Sequence, residues 1–574
     1  MRTLAATLGF FLVLAGSASA QPLPSGPSGY APKPAAIGKR FMVAAANPLA
    51  VDAGHAVLAR GGSAVDAAIA VQMVLNVVEP EASGIGGGAF ILHWSAAERR
   101  VRAYDGRETA PAAATPELFL GADGKPVAFY DGVVGGRAVG VPGLLAVLEL
   151  AHRRHGRIAW RELFEPAIAL AEQGFPVSPR LAVLLADERF RIDDPQARRL
   201  FHRDDGTPRR AREVIRNGAL AATLRAVADG GAPAFYRGEI AADVVAAVRT
   251  HPTNPGRLAL ADLAGYRPVE RRPVCGRYRA HRVCGMPPPS SGGVAVLQIL
   301  GILAQFPMER VAPQSLMAAH LFSEAGRLAY ADRDRYVADA DFVAVPVAGM
   351  IATEYLAARA EAVRYTRSLG EAAPGVPAGA ATPARAAAPE LASTSHVSIV
   401  DARGDAVAMT TTIEHAFGSR VMVRGFLLNN QLTDFSFTPR AEGRAVANRV
   451  EPGKRPRSSM APTLVFDRGG RLTHVVGSPG GPLIINYVAQ ALVAMLDWGM
   501  DAQQAVGLGH FGSRNGPTEL ERGTEAAALA DGLRLLGHEV RVMDMTSGLH
   551  AIERVPGGWR GAADPRREGN ARGD

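Results

Sequence analysis

Cysteine is almost missing from this chain: 574 residues contain two, Cys275 and Cys284. Two thiols cannot by themselves complete a four-ligand zinc site, and no other metal-ligand spacing is present, so no metal is expected. Aromatic residues make up only 6%. No Lys/Arg cluster alternates with them, so the chain lacks the footprint of a nucleic-acid binder. Charge is close to balanced, 63 Lys and Arg against 55 Asp and Glu, a formal +8. This reads as an Arg-rich solvated surface rather than a polyanion-binding face. Beyond the N-terminus no segment reaches eighteen uninterrupted apolar residues, which excludes an ordinary spanning helix. The remainder, 48% apolar and 21% charged, is the balance of a globular protein.

The N-terminus carries the three parts of an export signal in order. Arg2 is the positive end, Leu4 to Ala15 the apolar stretch, and Ala18-Ser19-Ala20 the cleavage site. Residues 1–20 are therefore expected to be a signal peptide, with a mature chain from Gln21 in the periplasm or outside the cell. Such a compartment permits a disulfide. Cys275 and Cys284 lie in two short β-like runs with a polar turn between them, and a bonded pair or two buried thiols both fit. Residues 21–37, rich in Pro, Gly and Ser, read as a leader. A short strand is expected at Met42–Ala46 and helices at Pro48–Leu58, Ala64–Val78 and Leu144–His152. Ser63 is placed to cap the second helix, with Asp66 in its first turn. Gly84-Ile85-Gly86-Gly87-Gly88-Ala89 spells a dinucleotide fingerprint, but a helix precedes it and a strand-like run follows, the reverse of what that site needs. The glycines are expected to let backbones pass closely. Pro287 to Gly293 reads as a stiff, then flexible, loop.

The sharpest break in composition is residues 371–392, almost all Ala, Pro and Gly. Such a stretch buries little apolar surface and is expected to order poorly. Directly after it comes Ser393 to Asp401, which from Ser395 alternates as a half-buried strand. Asp401-Ala402-Arg403-Gly404-Asp405 fits a type I turn with a left-handed glycine, which closes a three-residue hairpin loop. In that register Asp401 faces Asp405, and counting back, Thr394 faces Thr412. A cross-strand threonine pair is a common sheet stabiliser. Its place after a low-complexity segment points instead to chemistry.

Six motifs in fixed order sharpen this: Gly61–Ala68 (GGSAVDAA), Met286–Gly293 (MPPPSSGG), Leu427–Gln431 (LLNNQ), Lys454–Met460 (KRPRSSM), Gly477–Gly481 (GSPGG) and Asp564–Arg566 (DPR). With them the chain resembles the gamma-glutamyltransferases, or glutathione hydrolases, of the N-terminal-nucleophile hydrolase group, from about Phe41 to Arg566. The resemblance implies an α+β fold, a four-layer αββα sandwich. It also implies self-cleavage between Ser393 and Thr394 into a large subunit, 21–393, and a small one, 394–574, forming one intertwined heterodimer. Thr394 would be the nucleophile, its freed amine the general base, and Thr412 its hydrogen-bond partner. Gly480 and Gly481 would offer backbone N–H groups to the oxyanion. Arg107 would grip the substrate α-carboxylate with help from Ser458 and Ser459. Gln431 and Asp434 would accept from the α-ammonium. Expected substrates are glutathione and other γ-glutamyl compounds, with water, amino acids or peptides as acceptors. No cofactor is implied.

Three departures from the family pattern stand out. Glu414 occupies a position where an Asn is common. The segment from Ser436 to Arg449 is short for a lid and lacks a Tyr. His510 to Asn515 replaces a His- and Trp-containing stretch. One rival on the same fold is an acylase for glutaryl-type β-lactam side chains, which would need no ammonium acceptors. Another is a serine hydrolase at Ser478, but Val476 breaks the G-x-S-x-G elbow and Pro479 offers no N–H. A third is an unprocessed, inactive binding protein.

Overall fold

The computed structural model describes residues 29–381, 383–384, 393–441 and 443–574. The expected signal peptide, its cleavage site, and residue 382 with residues 385–392 before Ser393 lie outside the described residues. The core is two stacked antiparallel sheets of seven strands each. The first runs, edge to edge, Asn570–Gly573, Met42–Ala45, Ser393–Val400, Ala406–Glu414, Gly88–Ser95, Arg100–Gly106 and Val269–Arg271. The second runs Ala36–Gly38, Gly558–Ala563, His550–Val555, Leu472–Gly477, Thr463–Phe466, His281–Gly285 and Val274–Tyr278.

Strand alternation assigns the two faces of the first sheet. Val43, Ile91, Val397, Ile399 and Met409 pack under the helices Pro48–Ala59, Ala64–Val78 and Leu144–His155. Met42, Phe90, Leu92 and Ala408 instead share a core with Leu464, Val475 and Ile552 of the second sheet. Beyond that sheet lie the helices Gly292–Leu303, Leu316–Tyr336 and Ile484–Leu496. The result is the expected αββα order. Because even-numbered residues of Ser393–Val400 face the second sheet, Thr394 points toward the seam between sheets. There Ser398 Oγ donates to the His550 carbonyl across the seam at 3.1 Å.

Local chemistry explains the elements flanking the site. Ser63 Oγ accepts from Asp66 N at 3.0 Å and Asp66 Oδ2 from Ser63 N at 2.8 Å, a reciprocal cap that satisfies two orphan donors. The glycine run 84–88 does pass close to other backbone: a Cβ on Gly87 would sit 2.1 Å from the Thr412 carbonyl oxygen. Cys275 and Cys284 face each other across a hairpin and are joined by a disulfide.

Two expectations need correction. Ser290 and Ser291 are not in a flexible loop. Both are fully buried, and their hydroxyls donate to the carbonyls of Met460 and Ser458 at 2.6 and 2.7 Å. The described part of the Ala/Pro/Gly segment is also laid down firmly. Ala372 N donates to Asn515 at 2.7 Å, Gly375 N donates to Asp332 at 2.7 Å, and Gly375 O accepts from Tyr336 at 2.6 Å. Backbone hydrogen bonds to buried polar side chains hold it, which needs no apolar side chains of its own.

Candidate active site

The hairpin that carries Thr394 turns as its sequence indicates. Gly404 N donates to the Asp401 carbonyl at 2.9 Å with Gly404 at φ +81°, and Asp401 N donates to the Asp405 carbonyl at 2.9 Å. The ladder pairs Val400 with Ala406 back to Ser395 with Thr411, then shifts by one so that Ser393 faces Glu414. Thr394 sits in that irregularity, opposite Thr412. Its Oγ1 lies 3.3 Å from Thr412 Oγ1 and 2.6 Å from the Ser393 carbonyl oxygen. Thr412 Oγ1 donates to the same carbonyl at 2.7 Å and accepts from Glu414 N at 2.8 Å. Two hydroxyls thus converge on one peptide carbonyl, the bond before Thr394, in a site where Thr394 is 4% exposed.

Glu414 ends the strand at φ +81°, a conformation that costs a non-glycine residue about 1–3 kcal/mol. It is held there by the bond to Thr412 and by Asn430 Nδ2, which donates to its carboxylate. Gly480 and Gly481 have φ of +134° and +57°. A Cβ on Gly480 would meet the Tyr487 ring at 2.6 Å, so both space and backbone demand glycine. This turn leads directly into the helix Ile484–Leu496, whose N-terminal end carries positive partial charge.

A small open cavity of about 20 Å³ adjoins Thr394, space for about one water. Arg107, Thr412, Glu414, Gln431, Asp434, Ser458, Ser459 and Gly481 line it with Thr394. Gly480 is not among the lining residues. Met460 and Ile484 complete the wall; neither was singled out as a site residue, because an apolar residue that closes a polar pocket leaves no signature in sequence. Arg107 is buried. Its Nε donates to Pro456 O at 3.2 Å and its Nη2 to Arg457 O at 2.9 Å, and it pairs with Asp434. Asp434 also accepts from Gln431 Nε2 at 2.9 Å, while Gln431 Oε1 has no hydrogen-bond partner among the described residues. Ser459 Oγ accepts from the buried Arg333 at 2.7 Å, a cation that sequence reasoning missed. Behind Arg107, burial pushes the Glu108 carboxyl up to about 8.

The short segment after Ser436 forms a two-strand hairpin, Arg440–Ala441 with Arg444–Ala445. The His510 stretch supports the glycine turn from below. The His510 ring lies 4.3 Å from that of Tyr487, and its nitrogens meet Gln490 and Ser547 at 3.0 and 2.6 Å. Ser478 Oγ donates to the Pro479 carbonyl at 2.7 Å. His320, Glu324 and His538 bring potential ligand atoms within 4.8 Å of one another. Their polar atoms are already used: the two imidazoles bond each other at 2.7 Å and Glu324 pairs with Arg327.

Two helix-covered antiparallel sheets, with a strand-borne threonine at the mouth of a charged pocket between them, define an N-terminal-nucleophile-type hydrolase fold. A solved cephalosporin acylase from Bacillus halodurans shares it, with a TM-score of 0.83 at 28% identity over 95% of this chain and 97% of that one. The sequence model of gamma-glutamyltranspeptidase matches residues 50–573, and the chain belongs to that family. It is 35% identical to a glutathione hydrolase proenzyme of Bacillus subtilis strain 168, over 94% of this chain and 92% of the relative. It is 33% identical to the solved gamma-glutamyltranspeptidase of Helicobacter pylori, with a TM-score of 0.53, over 60% of this chain and 94% of that one.

Proposed function

We propose that this protein is an exported, self-processing gamma-glutamyltransferase and glutathione hydrolase. The observation that carries the reading is the convergence of Thr394 and Thr412 on the Ser393 carbonyl, beside a pocket that pairs a cation with several acceptors. Residues 1–20 would direct export to the periplasm or beyond. In maturation, Thr394 Oγ1 attacks the Ser393 carbonyl carbon, while Thr412 supports the developing oxyanion. The C–N bond breaks, its nitrogen takes up a proton to become the Thr394 α-amine, and the acyl group rests on Oγ1 as an ester. Water hydrolyses that ester, leaving a Ser393 carboxylate and a Thr394 bearing both hydroxyl and free amine. The products are the pieces 21–393 and 394–574.

In turnover the amine takes the hydroxyl proton as Oγ1 attacks the γ-carbonyl. The Gly480–Gly481 turn, at a helix N-terminus, receives the oxyanion. The leaving amine departs with a proton, and water or an acceptor amine resolves the γ-glutamyl ester. Arg107 with Ser458 and Ser459 fits the α-carboxylate. Gln431 Oε1, Asp434 and Glu414 fit the α-ammonium.

The acylase reading shares everything except this last group. The acceptors around Gln431 favour the γ-glutamyl reading, since a glutaryl chain has no ammonium to satisfy them. The test compares γ-glutamyl-p-nitroanilide with glutaryl-p-nitroanilide on purified protein. Hydrolysis of the first at least tenfold faster is expected; preference for the glutaryl compound sinks the reading. A denaturing gel with N-terminal sequencing should show a small fragment beginning at Thr394. Glutathione turnover with and without glycylglycine then divides hydrolysis from transfer.

A further inference from the structure

Beside Thr394, and outside the cavity lining, lies a buried charge cluster that none of the steps above uses. Arg567 is its centre. Nη1 donates to the Thr394 carbonyl at 3.1 Å and Nη2 to the Thr546 carbonyl at 3.4 Å. The same side chain packs on Gly548, where an added Cβ would lie 2.9 Å from Arg567 Cδ and 2.6 Å from Pro479 Cγ. Gly548 N also donates to Ser478 Oγ at 3.4 Å. The loop Thr546–Gly548 is therefore clamped between Arg567 and the chain that enters the Gly480–Gly481 turn. The turn itself is within reach of that loop, with a Gly480 Cβ 3.6 Å from the Thr546 carbonyl oxygen.

We propose that Arg567 is a positioning residue for the Thr394 chemistry. It ties the nucleophile's own carbonyl to the loop that backs the oxyanion turn, and so fixes the separation between attacking hydroxyl and turn. Such fixing has catalytic weight, because a misplacement of about 1 Å costs on the order of 100-fold in rate. The strand is irregular at this position, so the ordinary ladder does not set Thr394's place. Arg567 supplies the missing constraint through a charge-assisted bond.

The charge needs company in a dry site. Glu79, whose Oε2 accepts from Ser395 Oγ at 2.8 Å, faces Arg567 from the end of the helix Ala64–Val78. Arg180 and Glu568 also face it, as do Asp564 from its own segment and His550 from the second sheet. Glu81 adjoins Glu79. Burial, and then Arg180, lower the Arg567 guanidinium to about 9, so it is cationic at neutral pH. A cation bonded to Thr394 O also depresses the basicity of the amine that cleavage creates on the same residue.

The inference rests on the reading of Thr394 as nucleophile, and the experiment separates the two. R567M, R567K, the double variant E79Q/R567M and T394A are prepared as full chains. In R567M the appearance of two fragments should slow at least tenfold. In its matured fraction kcat should fall at least tenfold while KM for γ-glutamyl-p-nitroanilide stays within threefold. The acid limb of its pH–rate profile should move to higher pH by half a unit or more. R567K, which keeps the charge but not the fork, should fall between. The double variant also removes the buried carboxylate that has lost its Arg567 partner, and should regain thermal stability without regaining kcat. Wild-type maturation and kcat in R567M, full recovery of kcat in E79Q/R567M, or an unmoved acid limb would overturn the proposal. If T394A itself matures or turns over, the site reading fails instead.

Discussion

Thr394 and Thr412 differ in what each can lose. Thr394→Ala removes the only proposed nucleophile, and the expected outcome is a single band on a denaturing gel with no turnover. Thr412→Ala leaves the attacking hydroxyl but removes the 2.7 Å donor to the Ser393 carbonyl. Loss of one oxyanion donor costs about 2.7–4 kcal/mol, or 100- to 1000-fold, so maturation should slow on that scale. A time course of fragment appearance checks this, and a half-time within threefold of wild type would refute the donor role. Asp434 offers a different test. In the uncleaved chain it pairs with Arg107, so the proposed carboxylate gripper and the proposed ammonium acceptor are held against each other. Asp434→Asn should raise KM for the γ-glutamyl anilide by about tenfold, since a charge-assisted bond is worth about 1.5–3 kcal/mol. Its effect on the des-amino glutaryl anilide should be small. Equal effects on both compounds would remove Asp434 from ammonium recognition.

Elements explain how much of this was legible beforehand. The turn at Asp401 to Gly404 is local chemistry: an Asp whose side chain accepts from Arg403 N at 2.9 Å, and a glycine at φ +81°. Turn type sets register, so the Thr394–Thr412 apposition was readable from nineteen consecutive residues, 394 to 412. The capped helix Ala64–Val78 was readable for the same reason. What was not readable depends on partners distant in the chain. Arg333 reaches Ser459, and Arg567 reaches Thr394, only through folding. Arg107 was legible only through the family resemblance, and its enclosure by Asp434 and two carbonyls again depends on folding. Composition misled at residues 371–381, because it counts apolar side chains and is blind to backbone hydrogen bonds. The turn can be tested on its own terms. Gly404→Ala forces a Cβ into the left-handed region at about 1–2 kcal/mol. The denaturant midpoint should fall accordingly while the final extent of self-cleavage is kept. An unchanged midpoint would mean the loop relaxes into another turn.

At the scale of the whole molecule, cleavage and titration act on one shared framework. The first sheet interleaves strands from both sides of the Ser393–Thr394 bond: Asn570–Gly573, then Met42–Ala45, then Ser393–Val400 and Ala406–Glu414, then Gly88–Ser95. Two pieces so interleaved cannot part without breaking the sheet. Cleaved protein should therefore elute as one particle under native conditions and unfold in a single transition; separation of the pieces without denaturant would contradict the topology. That framework also buries the Glu108 carboxyl, which has a long ion-pair contact of 4.0 Å with Arg107. Glu108 has no hydrogen-bond partner for either oxygen among the described residues, and burial raises it to about 8 from an ordinary value of 4.5. The fold therefore holds a proton that the unfolded chain has released above pH 4.5, and stability falls as pH rises from there, levelling off above 8. The contribution is fully present below pH 4.5 and is lost as pH passes through the folded value. Glu108→Gln mimics the protonated form at every pH. It should match wild type in melting temperature near pH 4.5 and exceed it by several degrees at pH 9, a gap worth roughly a few kcal/mol. A gap that stays constant from pH 4.5 to 9 would mean that Glu108 is ionised in the fold throughout.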